Sequence, residues 1–190
     1  LDRKPRLETA DLHCFDLIFI RKDPPFDSSY LALCLLLQEL SGPLIINRPE
    51  SLLRYNEKLA ILLFPDYITE TMISSRPREI EDFIERVGGR GVVKPLFECS
   101  GRGVKLLNAE NASFSPDLAA ATASGRRPVM VQKFLPGVRK GETRVFLLDG
   151  KILSVMKKIP LPGEFKANFD FGARGAAGKL SRRELEICAE

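Results

Sequence analysis

Short apolar runs bounded by proline and glycine alternate with helical segments in the first part of the 190-residue chain. The run at residues 16–20 suits a buried strand, and it stops at the pair Pro24-Pro25. Ser28 is a candidate cap for a helix through about Leu40, and residues 44–46 form the next apolar run. This strand–helix–strand order predicts an α/β unit, in which ligands bind beyond the carboxyl ends of the strands.

Farther along, the pattern becomes richer in strands. Residues 143–148 and 151–157 flank an Asp-Gly pair and predict a β-hairpin. The glycine-rich stretch 159–179 predicts a long mobile loop, and Ser181 with Glu184 predicts the capping box of a final helix. The other expected elements are helices over residues 49–64, 77–87 and 116–123 and strands over 70–73, 91–94, 104–107 and 129–134.

Charge is unevenly distributed along the chain. Residues 126–183 hold 14 Lys and Arg against 4 Asp and Glu, whereas the whole chain has a net charge of only +4. Such an excess indicates an anionic partner, either a nucleic acid or a phosphorylated small molecule.

Other features narrow the class of protein. The four cysteines are scattered and the only histidine is His13, so neither a zinc cluster nor a disulfide framework is predicted, and a cytoplasmic setting fits best. No apolar run is long enough for a membrane span. The chain begins with Leu1 and without a signal peptide, so we expect it to be part of a longer protein.

A lysine and a glycine-rich loop form the first candidate site. Lys94 ends a β-branched run, and Ser100, Gly101 and Gly103 follow shortly after it. Backbone N–H groups of such a loop can wrap phosphate oxygens while an ammonium neutralises their charge. The loop lacks the Gly-Lys-Ser/Thr of a Walker A motif, and a surface lysine beside an ordinary turn is the alternative.

A second candidate lies at the end of the strand predicted over residues 129–134. Gln132, Lys133, Phe134 and Leu135 lead into a loop that contains Glu142. Backbone groups at the end of the strand could form hydrogen bonds with an edge of adenine, while the Glu142 carboxylate accepts hydrogen bonds from ribose hydroxyls. An edge strand followed by a solvated loop is the alternative.

The basic residues of the hairpin and the following loop include Arg144, Lys158, Lys166 and Arg174. Nearby acidic residues are too few to neutralise them. Nucleic-acid binding is disfavoured, because the chain has no helix-turn-helix, zinc-finger or RNP-like pattern.

Read together, these segments resemble the bacterial glutathione synthetases, which are ATP-grasp ligases. The resemblance covers nearly the whole chain, in matching order, and depends on residues 21–27, 47–52, 55–59, 94–96, 132–136, 141–144, 149–150, 159–160, 168 and 172–175. It implies an ATP-grasp fold, α+β in its nucleotide-binding part, preceded by the end of an α/β domain. The implied domains are the end of the substrate domain (residues 1–54), the lid subdomain (55–131) and the first part of the carboxyl-terminal subdomain (132–190).

The reaction that the resemblance implies is condensation of γ-glutamylcysteine with glycine through an acyl phosphate, driven by ATP with Mg²⁺. Related enzymes are commonly homo-oligomers, and the sequence leaves the oligomeric state open. Because nucleic-acid-binding motifs and long apolar runs are missing, neither a nucleic-acid nor a membrane partner is expected. The family's metal ligands are expected beyond Glu190, so none is assigned within these residues, and we expect the 190 residues not to complete the ligation unaided.

Residue roles also follow from the resemblance. Lys58, Lys94 and the loop with Ser100 and Gly101 would hold the ATP phosphates. Adenine would lie against Gln132, Lys133, Phe134 and Leu135, and the ribose against Glu142. Arg144 and Lys158 would be catalytic, neutralising the acyl phosphate. Substrate would contact Arg21, Lys166, Asn168 and Arg174, the last three in a loop that closes over the site.

The chain departs from the family pattern at several positions. Glu98, Ser100 and Arg102 stand where glycines or a small residue are common, and Lys158 and Lys166 stand where arginine is familiar. Lysine keeps the positive charge of arginine but cannot form the two parallel hydrogen bonds that a guanidinium makes with a phosphate or carboxylate. Two alternatives therefore stay open, a non-catalytic nucleotide-binding homologue and an ATP-grasp ligase with another amino-acid acceptor.

Overall fold

The computed structural model describes residues 8–190, and the chain divides between Ala60 and Ile61 into two compact units. Within the described range, no helix is both long enough and apolar enough to cross a membrane. The predicted domain boundaries at residues 54 and 131 stay predictions.

The first unit contains the predicted strand–helix–strand arrangement. Strand β1 (Leu17–Phe19) pairs in parallel with β2 (Leu44–Ile46), and helix α1 (Ser28–Gln38) connects them. The expectation that Ser28 caps this helix is wrong, because the Asp27 carboxylate accepts a hydrogen bond from the backbone N–H of Tyr30 at 2.9 Å. Aspartate caps a helix as well as serine does, so the cap lies one residue earlier than expected and Ser28 is the first residue of the helix.

The helix expected over residues 49–64 is shorter. Helix α2 covers only Pro49–Arg54, and a 3-10 turn follows at Leu59–Leu63. The cause is Asn56, whose side-chain oxygen accepts from the backbone N–H groups of Lys58 and Leu59 at 2.9 and 3.2 Å. This local turn competes with continuation of the helix and interrupts it.

An antiparallel sheet of four strands forms the centre of the second unit. The strands are β3 (Thr71–Ser74), β4 (Arg90–Pro95), β5 (Lys105–Asn108) and β6 (Val129–Lys133), in the order β3-β6-β4-β5. Helices α3 (Pro77–Arg86) and α4 (Phe114–Ala121) supply side chains to its core. The fully buried core residues include Ile80, Ile84, Val93, Leu118, Val129 and Val131.

Alternation along β4 explains which face of the sheet is buried. Gly91, Val93 and Pro95 are buried, whereas Val92 and Lys94 are partly exposed. Since successive side chains point to opposite faces, Lys94 lies on the face opposite the core. One face of β4 therefore packs in the core cluster, and the other face carries Lys94 beside Met130 and Gln132 of β6.

Gly91 is a close contact in this core. A Cβ atom added there would lie 2.7 Å from Cγ1 of the buried Ile84. We expect Gly91→Ala to lower the free energy of unfolding by about 1–2 kcal/mol through overpacking. Urea unfolding would measure it, with Gly137→Ala as control, because no atom lies within 4 Å of a Cβ at Gly137. Equal stabilities of the two variants would contradict the prediction.

A three-stranded sheet follows in the second unit, and it contains the predicted hairpin. Strands β7 (Glu142–Leu148) and β8 (Lys151–Ile159) are antiparallel, and β8 also pairs with β9 (Arg174–Ala177). The prediction that residues 159–179 form one loop is therefore wrong at both ends, and only residues 160–173 connect the strands. Helix α5 (Arg182–Ala189) begins with the predicted capping box of Ser181 and Glu184, which is confirmed.

Candidate active site

Two candidate residues meet on the face of the four-stranded sheet that lies opposite the core cluster. Lys94 on β4 donates from Nζ to Oε1 of Gln132 on β6 at 2.6 Å. The pairing of Lys94 with Met130 and of Val92 with Gln132 brings these side chains to one face. Gln132 is 8% exposed, so its amide lies under the surface, where a hydrogen bond to an ammonium is stronger than in water.

Gln132 has a second partner on the third strand. Its Nε2 donates to Oγ1 of Thr71 on β3 at 2.9 Å, and the Thr71 hydroxyl donates to the backbone oxygen of Thr69 at 2.7 Å. Thr71 was not among the predicted site residues, because 61 residues separate it from Gln132. Only the pairing of β3 with β6 places Thr71 directly opposite Gln132.

The next residues of the predicted adenine segment lie in different surroundings. The Lys133 ammonium is 3.0 Å from a carboxylate oxygen of Glu70, while Phe134 is buried and Leu135 is 55% exposed. The Phe134 backbone N–H donates to the Arg90 oxygen, and the Arg90 guanidinium lies 4.7 Å from the centre of the Phe134 ring. These contacts order the backbone at the strand end, where an adenine edge was predicted to bind.

Glu70, which directly precedes β3, has a carboxyl group with a lowered pKa. Hydrogen bonds from its own backbone N–H, from Lys133 and from Thr69 lower its pKa to about 2. Because the pKa is lower in the folded chain than the ordinary 4.5, the carboxylate stabilises the fold above about pH 4.5. That contribution is lost as the pH falls toward 2.

We therefore expect the unchanged chain to lose more stability between about pH 5 and pH 2 than a Glu70→Gln variant loses. Urea unfolding at constant ionic strength across this range would measure the difference. Parallel pH profiles of the two proteins would show that the carboxylate contributes nothing.

The glycine loop after Lys94 is held in an unusual backbone conformation. Ser100, Gly101 and Gly103 have φ angles of 53°, 75° and 66°, in the left-handed region. A Cβ atom at Gly101 would lie 2.8 Å from Oδ1 of Asn168 and 3.2 Å from Cε2 of Phe171. The loop thus lies directly against the segment 160–173, and the structure brings the two predicted site regions together.

The predicted ribose ligand and one predicted catalytic residue contact each other. Glu142 and Lys158 are direct partners across β7 and β8, and the Lys158 ammonium is 2.8 Å from Oε1 of Glu142. The Lys158 side chain is 2% exposed, and its ammonium also lies 5.4 Å from the centre of the Phe169 ring. Arg144, the other predicted catalytic residue, is exposed on β7.

Three phenylalanines attach the segment 160–173 to these groups. Phe165 makes an edge-to-face contact with Phe134 at 6.3 Å between ring centres, and Phe169 covers Lys158. The Phe171 ring lies beside Gly101 and 4.4 Å from the Lys166 ammonium. The three rings were not among the predicted site residues, although their clustering in one glycine-rich segment was a visible signal.

The remaining predicted residues lie elsewhere. Arg174 is exposed on β9 rather than in the loop, so its expected place is corrected. Arg21 and Lys58 belong to the first unit, where Arg21 is exposed and the Lys58 side chain is 12% exposed, with its ammonium 3.9 Å from Glu57. No group of three or more His, Cys, Asp or Glu side chains that could hold a metal ion occurs within residues 8–190.

Solved structures place this architecture in a known class. A D-cycloserine synthetase superposes on 95% of this chain and 66% of its own with a TM-score of 0.70 at 21% identity. A D-alanyl-alanine synthetase A from Vibrio cholerae covers 85% of this chain and 53% of its own, with a TM-score of 0.58 at 18% identity. A RimK domain protein described as an ATP-grasp covers 75% of this chain and 55% of its own, at 21% identity and a TM-score of 0.58. The predicted ATP-grasp fold with α+β character is confirmed.

Sequence profiles and relatives define the family more narrowly. The prokaryotic glutathione synthetase ATP-grasp domain matches residues 57–190, and the amino-terminal domain of the same family matches residues 4–53. Glutathione synthetases from Parasynechococcus marenigrum and Coxiella burnetii are 39% and 36% identical over 96% of this chain. The chain spans 60% and 58% of the length of these relatives. It belongs to the prokaryotic glutathione synthetase family, which confirms the resemblance described above.

Proposed function

We propose that the chain belongs to an ATP-dependent ligase that joins γ-glutamylcysteine to glycine through an acyl phosphate. Family membership supports this reaction, and the observation that carries the nucleotide part is the pairing of Lys94 with Gln132 at 2.6 Å beside a glycine loop. An ammonium fixed at a strand end, with backbone N–H groups of a loop nearby, suits a polyphosphate. D-Cycloserine synthetase and D-alanyl-alanine synthetase share the fold alone, so they do not decide the acceptor.

In this proposal, Lys94 and the loop containing Ser100 and Gly101 hold phosphate oxygens. Lys58, in the first unit, is proposed as a phosphate ligand from the family resemblance alone. The backbone of Lys133, Phe134 and Leu135 binds adenine beside Gln132. The buried Phe134 ring fixes that backbone, which is the requirement for recognising an edge by hydrogen bonds.

Glu142 and Lys158 are compatible with two roles despite their mutual contact. The carboxylate accepts from Lys158 through Oε1, and a carboxylate has further lone pairs that can accept from ribose hydroxyls. The same carboxylate holds the Lys158 ammonium in one place. The Lys158 ammonium and the Arg144 guanidinium would together stabilise the negative charge that develops as the acyl phosphate forms.

The segment 160–173 suits the peptide substrate and the exclusion of water. We propose that Lys166, Asn168 and Arg174 bind its carboxylates, as cations and amides commonly do. Arg21, in the first unit, is proposed as a substrate ligand from the family resemblance alone. Excluding water protects an acyl phosphate from hydrolysis. ATP is proposed to bind together with Mg²⁺, and residues 8–190 contain no group of three or more His, Cys, Asp or Glu side chains that could hold this ion. A cytoplasmic location also remains a proposal that rests on the scattered cysteines.

Calorimetric titration of the chain with ATP and Mg²⁺, with adenosine and with a short DNA duplex tests the nucleotide part. We expect ATP to bind more tightly than adenosine and not to be displaced by the duplex. Titration with γ-glutamylcysteine and with D-alanine tests the substrate class, and binding of the former alone is expected. Duplex binding that ATP cannot displace would overturn the proposal in favour of a nucleic-acid partner.

A further inference from the structure

A line of three side chains crosses three neighbouring strands of the four-stranded sheet. Lys94 on β4 contacts Gln132 on β6, which contacts Thr71 on β3, at 2.6 and 2.9 Å. The residues are 38 and 61 positions apart in sequence, so the strand order β3-β6-β4 alone brings them together. Thr71 has no role in the function proposed above.

The hydrogen bonds in this line have a defined direction. An ammonium only donates, so the Gln132 oxygen must face Lys94 and its NH₂ group must face Thr71. The Thr71 hydroxyl donates its single proton to the backbone oxygen of Thr69 at 2.7 Å. It can therefore only accept a hydrogen bond from Gln132. The Gln132 amide therefore has one orientation in which it forms hydrogen bonds with both Lys94 and Thr71.

We propose that Thr71 is a positioning residue for nucleotide binding, acting through Gln132 to fix the Lys94 ammonium at the phosphates. Without the Thr71 hydroxyl, the Gln132 NH₂ group loses this acceptor, while the Gln132 oxygen still faces Lys94. The amide, and with it the Lys94 ammonium, is then held less firmly in place. This inference rests on the proposed function, since it requires Lys94 to bind phosphate.

The test compares Thr71→Val with Thr71→Ser in the full chain. Valine keeps the shape and the β-branching but removes the hydroxyl, whereas serine keeps the hydroxyl. We expect Thr71→Val to raise the Kd for ATP with Mg²⁺ by about three- to tenfold, the loss of one ordinary hydrogen bond, and Thr71→Ser to restore it to within about twofold. The Kd for adenosine, which has no phosphate, should change by less than about twofold in both.

A double-mutant cycle with Lys94→Ala separates positioning from a general structural role. If Thr71 acts through Lys94, Thr71→Val has no further effect on ATP affinity once Lys94 is alanine. An equal effect in both backgrounds, or an equal loss of adenosine affinity, would overturn the inference. Thermal unfolding of each variant checks that the chain remains folded, and Thr71→Ser provides the folded comparison if the valine variant does not fold.

The outcomes also distinguish this inference from the proposed function. If Lys94→Ala leaves ATP affinity unchanged, the assignment of Lys94 to the phosphates fails, and the role of Thr71 fails with it. If Lys94→Ala weakens ATP while Thr71→Val binds ATP like the unchanged chain, only the role of Thr71 fails.

Discussion

Replacing Lys94 by alanine is expected to raise the Kd for ATP by about 10- to 100-fold, the range for loss of a hydrogen bond to a charged group. The substitution removes the ammonium that contacts Gln132 and leaves the buried face of β4 unchanged, because Lys94 points away from the core. The loss should be larger at low ionic strength, since salt screens the attraction between an ammonium and phosphates. Calorimetric titration at two salt concentrations would measure both effects.

Lys105→Ala is a matched control for this variant. Lys105 lies on the adjacent strand β5, directly opposite Val93, and its ammonium pairs with Asp117 at 2.5 Å. The control removes the same unit of charge from the same sheet, and we expect it to change ATP affinity by less than about twofold. Equal losses in the two variants would mean that net charge, rather than the position of Lys94, determines binding.

Replacing Glu142 by alanine is expected to lower the free energy of unfolding by about 2–4 kcal/mol. The variant leaves the Lys158 ammonium without its carboxylate, while the Lys158 side chain is only 2% exposed. We place the loss below that of a fully buried pair, because the Glu142 side chain is 42% exposed and water can reach it. Urea unfolding would measure the change.

Lys158→Met separates the cost of an unpaired charge from the loss of packing. Methionine fills a similar volume without charge, so this variant should lose less stability than Glu142→Ala. The double variant should be more stable than Glu142→Ala alone, because it no longer contains a buried ammonium without a partner. If the double variant is less stable than Glu142→Ala, the ion pair is not the cause of the loss.

Local sequence patterns predicted the elements whose signals lie within a few residues. Short apolar runs predicted strands β1 and β2, an Asp-Gly turn predicted the hairpin of β7 and β8, and a three-residue spacing predicted the capping box of Ser181 and Glu184. Where a local side chain competed with the pattern, the prediction failed. Asn56 ended the expected helix early in this way.

Elements that depend on pairing across the chain could not be predicted in the same way. The sequence of β9, Arg-Gly-Ala-Ala, has no alternation of apolar and polar residues, and its strand conformation comes from hydrogen bonding to β8. The contacts within the candidate site likewise depend on pairing between strands that are distant in sequence. Lys94 and Gln132 were found as separate candidates, whereas their contact, and that of Gln132 with Thr71, required the strand order.

The position of Gly101 has a consequence for how this part of the chain can evolve. Two independent constraints act there, a φ of +75° and a neighbouring oxygen of Asn168 that would lie 2.8 Å from any Cβ. A smaller residue at 168 or 171 would relieve the second constraint but not the first. Substitution is therefore asymmetric: Gly101 is compatible with smaller residues at 168 or 171, whereas no change at those positions removes the backbone strain that a side chain at 101 would cause.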